Sequence, residues 1–81
     1  MDDHLLDRIY NDIKLCLMLC LEDEKEGIKL EGSLNYEAAR ELIKCYNKLV
    51  DIYYKPEFVK EYRLENVAKM YKNYKFYKGE N

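Results

Sequence analysis

The chain is 81 residues long, 48% hydrophobic and 37% charged, with a net charge of −2. This length supports one domain with a single modest core and excludes a two-lobed enzyme with a cleft between the lobes. Plentiful apolar side chains and a small net charge exclude a disordered chain; the longest apolar run, Leu15 to Leu21, falls far short of the ~20 residues needed to cross a bilayer, so no membrane association is expected.

Three Gly and one Pro are too little punctuation for a fold of many short strands. Ile, Lys, Asn, Tyr, Phe and Met make up 36 of the 81 residues, the usage that AT-rich codons produce, as in a low-GC bacterium or its phage. The opening MDDHLLDR is acidic and lacks the basic start of a secretory leader. Cys16, Cys20 and Cys45 are an odd set without secretory context, so a reducing, cytoplasmic location is expected. Residues 1–54 carry seven Lys/Arg against twelve Asp/Glu, a net −5, and residues 55–81 carry seven against four, a net +3. That polarity favours a self-complementary assembly or a basic tail with its own task.

In chain order, Leu6, Ile9, Ile13, Cys16 and Cys20 recur at spacings of three and four, and Leu5, Tyr10, Leu17 and Leu21 widen the stripe. The pattern predicts a helix over 3–23, with Asp2 or Asp3 as its cap. Leu15, Met18 and Leu19 fall roughly opposite that stripe, so this helix is apolar on two sides and has to be covered on both. Residues 24–35 read as a linker, with Gly27 as a break, a short extended piece at Ile28–Leu30, and Asn35 or Ser33 capping a second helix. That helix spans 36–55 and carries the cleanest stripe, Ala39, Leu42, Tyr46, Leu49 and Tyr53, with Ile43 and Val50 beside it. Pro56 ends it and starts the next segment, a helical stretch over 56–77 with a break at Arg63 to Asn66. The last residues, Lys78 to Asn81, are expected to fray.

Few constellations carry chemistry. Cys16 and Cys20 sit one turn apart, which is half a zinc site, but no second pair completes it; the three cysteines read as small buried apolar residues. His4 is the only histidine, Ser33 the only serine, and threonine is absent, which leaves no nucleophile–base pair. Glu22, Asp23, Glu24 and Glu26 read as a solvated acidic loop. The stretch KMYKNYKFYK, Lys69 to Lys78, interleaves cations and rings as single-stranded nucleic acid binders do, yet steps of three spread its lysines over half a helix circumference.

The stretch LIKCYNKLVDIYYK, Leu42 to Lys55, resembles the second helix of the small sporulation-regulator aspartyl phosphatases, two-helix hairpins. The matching positions are Ile43, Tyr46 and Asn47, while the serine and aspartate of the family signature are missing. The resemblance implies a small aspartyl-phosphatase-like regulator as a third reading of function.

The expected fold is all-α: an antiparallel hairpin of two long helices plus a shorter C-terminal helical segment, a small helical bundle in one domain over 1–81. The expected function is a non-enzymatic protein–protein interaction module that forms a homodimer and regulates or inhibits a larger host protein, with nucleic-acid binding through the tail as the alternative. Tyrosine supplies contact area with a polar tip and is enriched at interfaces. The candidate partner-binding residues are therefore Leu15, Met18 and Leu19, then Tyr54, and in the tail Lys69, Tyr71, Lys72, Tyr74, Lys75 and Tyr77. No catalytic residue, metal or cofactor is expected.

Overall fold

The computed structural model describes residues 3–79. Within them lie four α-helices: α1 (Asp3–Lys25), α2 (Leu34–Tyr53), α3 (Pro56–Tyr62) and α4 (Val67–Tyr77), with a single 3₁₀ turn at Leu30–Gly32. Tyr10 lies near Tyr46, with ring centroids 6.4 Å apart, and Cys20 near Ser33, so α1 and α2 run antiparallel as the expected hairpin. The proposed caps Asp2 and Asp3, and the fraying of Glu80 and Asn81, lie outside the described side chains.

Helix α1 runs to Lys25, two residues past its expected end, taking in Glu24 of the acidic cluster, and stops in a Schellman motif. Gly27 takes φ +88°, the left-handed conformation that costs glycine little. The Gly27 N–H then donates to Glu24 O and the Ile28 N–H to Asp23 O, satisfying two carbonyls that the helix end would leave orphaned. Of the extended piece expected at Ile28–Leu30, Leu30 instead opens the 3₁₀ turn, while Lys29, at φ −70° and ψ 149°, has extended backbone. Ser33 caps α2, its Oγ accepting from Tyr36 N at 3.2 Å. Asn35, the other candidate, lies inside the helix and donates instead to Asp23 at 2.9 Å.

The core is formed by Leu6, Ile13, Leu17, Cys20 and Leu21 of α1, Ala39, Ile43 and Val50 of α2, and Val67 and Tyr71 of α4. Burial of each Leu, Ile or Val here contributes about 1.5–3 kcal/mol. On α2 the buried line is rotated from the expected stripe. Ile43 and Val50 occupy its centre, Leu42, Tyr46 and Leu49 are half-buried at its edge, and Tyr53 is exposed. The rotation follows from α4, which packs on the Ile43 side of α2 and draws the buried face toward it.

Helix α2 ends at Tyr53, Tyr54 and Lys55 are extended, and Pro56 opens α3 at its first position, as the proline predicts. The expected break at residues 63–66 is present, and Asn66 closes it by accepting from Lys69 N at 3.0 Å. Asn47 of α2 holds this connector by both its amide atoms. Its Oδ1 accepts from Leu64 N at 2.7 Å and its Nδ2 donates to Leu64 O at 3.0 Å. A side chain thereby satisfies a backbone pair that no helix reaches.

Candidate interaction surfaces

Leu15, Met18 and Leu19 are 50%, 42% and 37% exposed. The three do not form one undivided patch. Leu15 and Met18 line a groove of about 740 Å³ between α1 and α4, whose further lining includes Leu64, Met70, Tyr74 and Tyr77. Leu19 is not part of it. Helical register places Leu19 on the other flank of α1, above Cys16, Ile9 and Leu5.

That flank belongs to a second apolar face. Glu24 and the α1 groove residues lie toward α4, as do Tyr36 and Asn47 of α2. α4 therefore leaves the opposite side of the hairpin uncovered. It carries Leu5, Ile9, Cys16 and Leu19 from α1, and Leu42, Leu49 and Ile52 from α2, all half-buried or exposed. Cys45 lies on the same side of α2 and is exposed, against the expectation that all three cysteines are buried. Cys20 is buried and Cys16 half-buried. Burial pushes the Cys20 thiol up to about 11, and burial aided by Asp12 raises that of Cys16; such thiols are poor nucleophiles and metal ligands. Among the described residues no three His, Cys, Asp or Glu side chains are grouped to hold a metal ion, and no helix is long and apolar enough to cross a membrane.

The acidic cluster is not a solvated loop. Asp23 accepts from Ser33 Oγ at 2.8 Å and from Asn35 Nδ2 at 2.9 Å, and these bonds, Asn35 foremost, hold its carboxyl below the usual range. Glu24 accepts from Lys75 Nζ at 2.6 Å and from the Tyr71 hydroxyl at 2.8 Å, which likewise lowers its carboxyl, Lys75 first. Two of the four acids thus pin the loop and α4 to the end of α1. Sequence carries a partial signal for the first, since Ser33 and Asn35 are both side chains that bond nearby polar groups. The second depends on how α4 folds back and has no local signal.

The tail residues separate in the same way. Tyr71, expected at a partner surface, is 3% exposed and belongs to the core; burial, with Glu24 beside it, pushes its hydroxyl well above the usual tyrosine range. Lys75 is taken by Glu24 and Lys69 by Glu65 at 3.2 Å, while Lys72 is exposed. Tyr74 is half-buried under Lys78, and Tyr77 is 84% exposed. Tyr54 stacks on Tyr62 with centroids 4.4 Å apart. The lysines therefore make no continuous stripe of the kind that follows a phosphate backbone.

Of the positions behind the phosphatase resemblance, Ile43 is core, Tyr46 packs beside Tyr10, and Asn47 holds Leu64. All three serve packing. Comparison with protein-family models, with curated proteins and with solved structures finds no match for this chain.

Proposed function

We propose that the protein is a non-enzymatic helical interaction module that pairs with a second copy of itself through the uncovered side of the α1–α2 hairpin. The observation that carries this reading is that face: Leu5, Ile9, Cys16 and Leu19 opposite Leu42, Leu49 and Ile52, with α4 covering only the other side. Exposed apolar side chains grouped on one side are uncommon on monomers; Asp12, beside Cys16, is the charged member of the α1 row. Two hairpins stacked about a twofold axis form a four-helix bundle, the usual way such hairpins bury a second face. The charge polarity of the sequence adds less to pairing, because Lys75 and Lys69 are neutralised within the chain. A module of this size works in the cytoplasm by occupying a surface, which suits a small regulator or inhibitor of a larger protein.

Sedimentation equilibrium at micromolar concentration tests the reading. The unmodified protein is expected at twice 9.8 kDa, and Leu19→Lys, with its helical circular dichroism retained, at the monomer mass. A mass near 9.8 kDa for the unmodified protein at high concentration refutes it.

A further inference from the structure

The groove between α1 and α4 lies on a different side of the molecule from the uncovered hairpin face. Its floor is apolar: Leu15, Met18, Leu64 and Met70, with Tyr74 beside them. Met18 and Met70 are two of the chain's three methionines, and methionine is the side chain best able to refit itself to a changing apolar contact. Each wall carries a lysine laid over a tyrosine ring. Lys14 Nζ lies 5.3 Å from the centre of Tyr10 on α1, and Lys78 Nζ lies 5.7 Å from the centre of Tyr74 at the end of α4.

Lys14 and Lys78 border the groove itself, whereas Lys72, also without an ion pair among the described residues, is not one of its lining residues. Lys69, Lys75 and Arg63 each face a carboxylate, on Glu65, Glu24 and Asp51. Lys14 and Lys78 form no ion pair among the described residues, although the chain as a whole is acidic. Unneutralised charge is thus retained at the two edges of an apolar channel.

We propose that this groove binds an amphipathic helix of a second protein, one whose apolar face is bordered by carboxylates. The apolar face rests on Met18, Met70 and Leu15, and acidic side chains on its two flanks meet Lys14 and Lys78. A helix fits better than an extended strand. Among the described residues there is no strand edge to supply main-chain hydrogen bonds, so recognition falls to side chains, as in other helix-in-groove complexes. From Tyr10 to Met18 the groove follows α1 for about 12 Å, the length of two helical turns. The channel is open along that length, which suits a helix laid across it rather than an enclosed acyl chain. The lysine pair acts chiefly on selection, since exposed charge pairs discriminate between partners more than they hold them.

The test uses two designed helical peptides with the same leucine face at i, i+3, i+4 and i+7, one flanked by Glu and one by Lys, titrated by fluorescence anisotropy into the full chain. The Glu-flanked peptide is expected to bind about tenfold more tightly or better. Lys14→Glu with Lys78→Glu reverses that preference, and Met18→Glu abolishes binding while leaving the circular dichroism unchanged, because Met18 is outside the core. Titrations are repeated on Leu19→Lys, so that a failure of self-pairing through the hairpin is read separately from a failure here. Equal binding of the two peptides, binding of neither, a preference that the double charge reversal leaves in place, or loss of the peptide site with Leu19→Lys rather than Met18→Glu would overturn the proposal. So would displacement of the peptide by sodium decanoate at lower concentration than the peptide itself requires, which would assign the groove to an acyl chain.

Discussion

The Tyr71 hydroxyl donates to Glu24 Oε2 at 2.8 Å across 47 residues of sequence. This bond, with Lys75 on the other oxygen of the same carboxylate, joins the last helix to the end of the first. Tyr71→Phe keeps the ring in the core and removes only the donor. Glu24 retains Lys75, so the expected loss is about 1 kcal/mol in a urea melt. Tyr71→Ala also empties the site of the ring and is expected to cost about 3–5 kcal/mol. Equal losses for the two would mean that the ring contributes nothing.

The same contacts set the pH dependence. Glu24 and Asp23 have folded-state carboxyls below their ordinary values, so below about pH 4 the unfolded chain takes up protons first. Their stabilisation is complete above the unfolded values and is lost as pH falls through the folded ones. Tyr71 is raised, so its contribution holds below the ordinary tyrosine value of about 10 and is lost as pH rises beyond it. The urea midpoint should thus be flat around neutrality and fall at both ends. Glu24→Gln should flatten the acid limb, and an unchanged acid limb would show that Glu24 does not drive it.

Ile43→Ala is expected to cost about 2–5 kcal/mol, and Leu49→Ala less than half as much, since Ile43 is buried and Leu49 is at the edge of the hairpin. Parallel urea melts decide this. The reverse order would restore the stripe that simple periodicity picks out on α2.

Periodicity found both long helices, Pro56 found the junction between α2 and α3, and the spacing of Leu15, Met18 and Leu19 found an apolar side on α1 that stays exposed. All of these are local signals. What it missed depends on residues distant in sequence. The rotation of the α2 face comes from α4 packing beside Ile43. The burial of Tyr71 and the use of Glu24 and Lys75 come from the fold-back of α4, 47 and 51 residues away from their shared partner. The side of the hairpin carrying Leu42 and Cys45 is uncovered for the same reason, because α4 lies on the other side. The wheel of α1 could not divide Leu15 and Met18 from Leu19, since the wall that divides them is another helix.

Asn47→Ala leaves the Leu64 N–H and C=O without their partner. The expected loss is about 1–3 kcal/mol, with faster trypsin cleavage after Arg63 in the freed connector. Cleavage at the unmodified rate would mean that water replaces the amide without consequence.

The cysteines should separate cleanly by reaction with a disulfide reagent under native conditions. Cys45 is exposed and reacts first, Cys16 is slowed by its raised thiol, and Cys20, buried with a thiol pushed up to about 11, waits for unfolding. Since Cys45 lies on the hairpin face, its rate should also fall as protein concentration rises through the range of self-pairing.

The two attachments of α4 have unequal reach, and this orders the assembly of the chain in time. α1 and α2 meet across a turn of fewer than ten residues, whereas Lys75 must return to Glu24 across 51. With the hairpin formed, α4 closes only the segment from Tyr54 to Asn66, a loop somewhat longer than the hairpin turn, and it is held once Val67 and Tyr71 are seated. The hairpin is expected to close first and α4 to dock on it afterwards. Until Val67 to Tyr77 are in place, the side of the hairpin that α4 covers stands open, and a neighbouring chain can offer its own α4 in the interval. Exchange of α4 between two copies is the assembly error that this order of docking would permit.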